Sequence, residues 1–77
     1  VLSLMKSLNQ LKSGDSGEIV KISCPHTLLF RMNALGIRMG QKVEVLRNGW
    51  FRPLHICVST TEMFIRKKDA KNIWVDI

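Results

Sequence analysis

The sequence predicts a mainly β fold: a small, partly open barrel of five strands with one short helix inserted after the first strand. Three observations carry this. Apolar and polar residues alternate in short runs such as Lys42-Val43-Glu44-Val45 and Ile73-Trp74-Val75-Asp76, the period-two pattern of a strand with one buried face. Leu28, Met32 and Leu35 instead fall at i, i+4 and i+7, one face of a helix. The chain has 77 residues, enough for one small domain, 1–77 with a core of about 8–76, and closing the sheet is how an all-β chain this small hides its edges.

The elements follow in order. Leu8 and Leu11 straddle Asn9-Gln10, which reads as one helical turn at Ser7–Leu11 before the loop Lys12-Ser13-Gly14-Asp15. Gly17 to Ile22 is β-rich and forms strand one. The run Cys24-Pro25-His26-Thr27 breaks it, and Pro25 disfavours a helical Cys24. Thr27 is the expected N-cap of a helix from Leu28 to Leu35. Gly36 follows the last periodic residue, where a left-handed cap is needed, and Gly40 marks a second tight turn. Val43 and Val45 face inward on strand two, Gln41 to Arg47. Asn48-Gly49 signals the loop that carries Trp50, Phe51 and Arg52 to Pro53. Strand three, Leu54 to Ser59, points Leu54, Ile56 and Val58 one way and His55, Cys57 and Ser59 the other. Thr60-Thr61 turns the chain into strand four, with Met63 and Ile65 inward. Lys67 to Asn72 is a short helical turn, and strand five closes with Ile73 and Val75 inward and Trp74 and Asp76 outward. SH3-like and OB-like barrels both fit this order.

Composition narrows the function. No apolar run approaches the roughly 18 residues that span a bilayer. The N-terminus lacks a basic region ahead of an apolar core, so it does not read as a signal peptide, and Val1 stands where a start Met is expected. Two cysteines are too few for a disulfide-stapled secreted scaffold. A cytoplasmic protein is the expectation. The net charge of +6 suits an anionic partner. The basic residues are spread along the chain, however, and the only dense cluster is Arg66-Lys67-Lys68. The aromatics are not interleaved with them, so nucleic acid is not expected, and a small basic barrel that binds it is the alternative reading.

Four motifs, in order, are similar to the FeoA family, small partners of the ferrous iron transporter FeoB. An opening Leu-x-x-Leu-x-x-Gly stands as Leu8 to Gly14. Arg31-Met32-Asn33-Ala34-Leu35-Gly36-Ile37-Arg38-Met39-Gly40-Gln41-Lys42-Val43-Glu44-Val45 resembles the family's Arg-Leu-x-x-Leu-Gly-Leu-x-Pro-Gly-x-x-Val-x-Val, with Met39 in place of Pro. Pro53-Leu54-His55-Ile56 with Met63-Phe64-Ile65-Arg66 resembles the third block, and Ala70 to Val75 the ending. The loop Gly49 to Arg52 is bulkier than the family's usual Gly-Asp-Pro. The resemblance implies an SH3-like barrel, shared with the C-terminal domain of iron-dependent repressors of the DtxR type. It also implies an accessory or regulatory role in ferrous iron uptake through contact with the cytoplasmic region of FeoB. A further alternative is the SH3-like ligand- or metal-responsive module of an iron-dependent regulator.

Few residues offer chemistry. Cys24 with His26, and His55 with Cys57, are the metal candidates, since each pair can supply two ligands to Fe²⁺ or Zn²⁺. Neither shows the four-ligand spacing of a structural zinc site, so no cofactor is required. Cys24 and His26 are too local for a nucleophile–base pair, paired carboxylates are absent, and no glycine-rich loop with a lysine cradles phosphate. An enzyme is not expected. Trp50, Phe51 and Arg52 are the partner-binding candidates, because aromatic–arginine clusters anchor interfaces. Trp74 is on the outward register and is placed in the same patch. The competing reading folds the loop back over an open barrel end. Leu35, Gly36, Gly40, Val43 and Val45 are read as structural. A homo-oligomer through an exposed strand edge is a third reading.

Overall fold

Burial alternates along the strands as the sequence pattern requires. Leu54, Ile56 and Val58 are buried while His55 and Cys57 between them are half-buried. Val43 and Val45 repeat the alternation, as do Ile73 and Val75. The computed structural model describes residues 5–23 and 26–77, apart from the side chains of residues 26 and 28. It contains β1 (Met5–Ser7), a 3-10 turn (Leu8–Gln10), β2 (Ser16–Ile22), α1 (His26–Ala34), β3 (Lys42–Arg47), β4 (Leu54–Val58), β5 (Thr61–Ile65), α2 (Lys67–Ala70) and β6 (Ile73–Asp76). No helix among the described residues is long and apolar enough to cross a membrane.

All pairings are antiparallel, in one sheet of order β1-β6-β2-β3-β4-β5. The mainly β architecture agrees with the sequence, but the strands among the described residues number six, not five. The added one, β1, pairs with β6. Its Met-Lys-Ser sequence has no apolar alternation, so periodicity could not reveal it. The expected strand one is β2, and the later strands each move up by one. The sheet coils at two bulges. Ile19 and Lys21 pair with Val75 and Trp74, leaving Val20 extra, and Val45 and Arg47 pair with Ile56 and His55, leaving Leu46 extra. An extra residue on one strand raises the local twist, which lets a sheet wrap round its own core. Leu8, Leu11, Ile19, Met32, Ile37 and the inward strand residues fill that core. Each buried Leu or Ile contributes about 1.5–3 kcal/mol. Gly17 stands where β2 meets β6. A Cβ there would run into the Asp76 carbonyl oxygen and lie 2.6 Å from the Val75 Cγ1.

The helix departs from expectation at both ends. It begins at His26, so Thr27 lies inside it and is not the N-cap. It ends at Ala34, and Leu35 in the following turn is 54% exposed, not part of the buried stripe. The stop itself is a Schellman motif. Gly36 N–H donates to Asn33 O at 3.1 Å and Ile37 N–H to Met32 O at 2.9 Å, the paired bonds that satisfy the last helical carbonyls. Gly36 has φ 94° and Gly40 has φ 88°, the left-handed conformation that glycine takes without a Cβ clash. Met32 and Ile37, at the two ends of the motif, are both buried. The apolar contact that accompanies such a cap therefore runs through Ile37, and that leaves Leu35 outside.

Candidate partner-binding site

The loop between β3 and β4 is tied down at its base and bare at its tip. Asn48 begins it. Its Nδ2 donates to Leu11 O at 2.6 Å and to Asn9 O at 3.3 Å, and its backbone N–H donates to Ser13 Oγ at 3.3 Å. One amide side chain thus joins the end of β3 to the 3-10 turn and the residue that follows it. On the other side, Lys67 at the start of α2 donates from Nζ to Gly49 O, and to Trp50 O at 3.2 Å. An ammonium carries three donors, so one side chain holds two consecutive loop carbonyls. The Arg52 stem lies across Gly49, 3.6–3.7 Å from where a Cβ would sit there.

Above this base Trp50 is 83% exposed and Phe51 92%. Their rings meet edge to face, 6.0 Å apart at 82°, an arrangement aromatic pairs favour. The loop is not folded back over the barrel end, since both rings stand in water. Trp74 is half-buried on β6, opposite Ser7 and Lys21. No ring contact joins it to Trp50 or Phe51 among the described residues.

The metal candidates divide. Cys24 and the side chain of His26 lie outside the described residues. His55 and Cys57 share the outer face of β4, as expected, but each has other partners. His55 Nε2 lies 3.1 Å from Glu62 Oε1, and its ring stacks on Phe64 at 4.5 Å and 15°. Cys57 Sγ donates to Ser59 O at 3.6 Å. Among the described residues no three His, Cys, Asp or Glu side chains gather to hold a metal ion. The sequence did not single out Glu62 or Phe64 as partners of His55. The pairing of β4 with β5 sets Phe64 opposite His55 and Glu62 opposite Cys57, and the hairpin register is the signal that would have found them. An open groove of about 160 Å³ lies between the end of α1 (Arg31, Met32, Leu35) and the end of β5 (Phe64, Ile65, Arg66).

The FeoA domain model matches residues 6–77. The chain belongs to the FeoA family. An iron uptake regulatory protein, FeoA, known from its crystal structure, superposes with a TM-score of 0.89 at 25% identity, over 95% of this chain and 97% of that one. The Stenotrophomonas maltophilia FeoA, an SH3 domain protein complexed with zinc, gives a TM-score of 0.77 at 23% identity, over 99% of this chain and 91% of that one. A manganese-dependent transcriptional repressor gives 0.90 at 19% identity, over 99% of this chain but 43% of the repressor, a likeness of fold alone. No curated protein sequence matches the chain. The fold is SH3-like, as in the FeoA structures, and the family ties the chain to ferrous iron transport.

Proposed function

We infer that this FeoA-family chain is an accessory protein of ferrous iron uptake that works by binding, without catalysis of its own, at the cytoplasmic side of a FeoB-type transporter. The observation that carries the reading is the Trp50–Phe51–Arg52 loop. It presents two bare aromatic rings on a base fixed by Asn48 and Lys67. Aromatic and arginine side chains supply most interface hot spots, and a held loop loses little freedom on docking. The S. maltophilia relative is described as possibly acting as a ferrous iron transport activating factor, which supports the same role here.

A pull-down with the cytoplasmic region of FeoB, with and without nucleotide and Fe²⁺, tests the reading. The protein should be retained, and Trp50→Ala should weaken binding by about 1–2 kcal/mol. Equal affinity of a folded Trp50→Ala variant would remove the loop from the interface.

We infer that this function requires no resident metal. Zn²⁺ or Fe²⁺ titrated by calorimetry should bind no more tightly than at adventitious His and Cys side chains. Stoichiometric binding lost in both Cys24→Ser and His26→Ala would assign a metal site to these two residues.

A further inference from the structure

The two edges of the sheet are unlike. Among the described residues β1 offers three, with the charged Lys6 at the centre, a feature that resists pairing. β5, at the opposite edge, offers five residues, with no Pro and no Lys.

The hairpin geometry shows which backbone groups β5 leaves open. Ser59 and Thr60 form a two-residue turn, Val58 pairs with Thr61, and Ser59 has φ 58°. Such a turn closes on a hydrogen-bonded pair, and bonded and non-bonded pairs then alternate. Thr61, Met63 and Ile65 therefore direct their N–H and C=O groups toward β4. Glu62 and Phe64 direct theirs away from it, to the open edge. Among the described residues no backbone bond outside the ladder reaches either one.

The side chains on this register read Glu62, Phe64, Arg66: an acid, an aromatic that is 69% exposed, and a base. The triplet is complementary to itself when reversed. We propose that β5 is a self-association edge, at which a second copy of this chain adds its own β5 antiparallel, with Phe64 opposite Phe64 and each Glu62 opposite the other copy's Arg66. Each Phe64 N–H then donates to the other Phe64 C=O, and each Arg66 N–H to the other copy's Glu62 C=O. The Arg66 C=O already accepts the N–H groups of Asp69 and Ala70, so it adds no bond. The His55 ring stacked on Phe64 steadies the aromatic at the centre. Parallel addition would set Glu62 beside Glu62 and Arg66 beside Arg66, which like charges oppose. The two-fold arrangement closes on itself, giving a dimer and no fibre. A net charge of +6 on each copy works against association, so the pairing depends on concentration.

Sedimentation velocity of the whole chain over rising protein concentration tests this and should show a monomer–dimer equilibrium. Glu62→Arg and Arg66→Glu each set like charges opposite one another at two symmetry-related places, and each should raise the dissociation constant about tenfold. The double variant should recover the dimer. Phe64→Pro removes the central N–H, which points away from β4 and which an edge strand can spare. It should leave a chain that is folded by circular dichroism and monomeric by sedimentation. A wild-type chain that stays monomeric at every concentration overturns the proposal. So does a dimer indifferent to Phe64→Pro, or a double variant as weak as the single ones. Should Phe64→Pro fail to fold, the charge exchange alone decides.

Discussion

Two loops flank β3, and they hold their shapes by different means. The loop before it, from Gly36 to Gln41, is fixed through backbone groups: the Schellman bonds at Gly36 and Ile37, left-handed φ at Gly36 and Gly40, and two bonds to Ile19 of β2, from Gly40 N–H at 2.7 Å and to Gln41 O at 2.9 Å. The loop after it, Asn48 to Pro53, is fixed from outside by Asn48 on Leu11 and Lys67 on Gly49 and Trp50. The first returns Ile37 to the core. The second carries Trp50 and Phe51 away from it. A loop held through its backbone, by torsions and by bonds to the sheet, serves folding. A loop braced only at its base can keep its tip for a partner.

Substitutions should separate the two, and the largest effect belongs to Gly36. A Cβ there meets nothing within 4 Å, so the penalty is purely torsional. Gly36→Val should destabilise by about 1–3 kcal/mol in thermal or denaturant unfolding, since a β-branched residue fits the left-handed region poorly. Gly36→Ala should be milder, and Gly36→Asn milder still. Three variants as stable as the native chain would mean that the helix stop does not depend on this torsion.

Asn48→Ala comes next. It leaves the carbonyl of the buried Leu11 without its 2.6 Å donor, and an acceptor orphaned in this way costs about 1–2 kcal/mol. The loop should also loosen, so faster amide exchange at Gly49 and Trp50 is the accompanying readout. Trp50→Ala is smallest in stability, within about 0.5 kcal/mol, because an exposed side chain away from packing features contributes little. Its loss should show only in transporter binding. A marked fall in melting temperature for Trp50→Ala would erase the contrast between the loops.

The sequence was most legible where one physical rule acted alone. Alternation placed the inward residues of β3, β4 and β6, and glycine after the last helical turn marked the stop at Gly36 with its positive φ. Legibility failed where rules competed. Leu35 fits helical periodicity, but the cap motif selects Ile37 as its apolar partner. Thr27 has the chemistry of an N-cap, yet the helix starts one residue ahead of it. Placing the second hairpin turn at Thr60-Thr61, one residue late, shifts every cross-strand pair and hides the contacts of His55 with Glu62 and Phe64. The Trp50–Phe51–Arg52 loop was legible as an aromatic–arginine cluster, but its standing clear of the barrel end was not. The Asn48 and Lys67 braces were not, because they join positions 37 and 18 residues apart.

The two bulges give the chain length tolerance at defined places. Val20 and Leu46 are the residues for which the ladder has no opposite number. Removing Leu46 brings Val45 and Arg47 side by side, still opposite Ile56 and His55 in turn, with Val45 inward and Arg47 outward. Removing Val45 instead leaves Leu46 to fill the inward place opposite Ile56 after a strained shift, whereas deleting a paired residue away from the bulge turns the rest of the strand inside out. A chain shortened at Leu46 should therefore still melt cooperatively, with a flatter sheet, while one shortened at Val43 should not fold. The coil of this barrel is carried by two single residues that the pairing itself can spare.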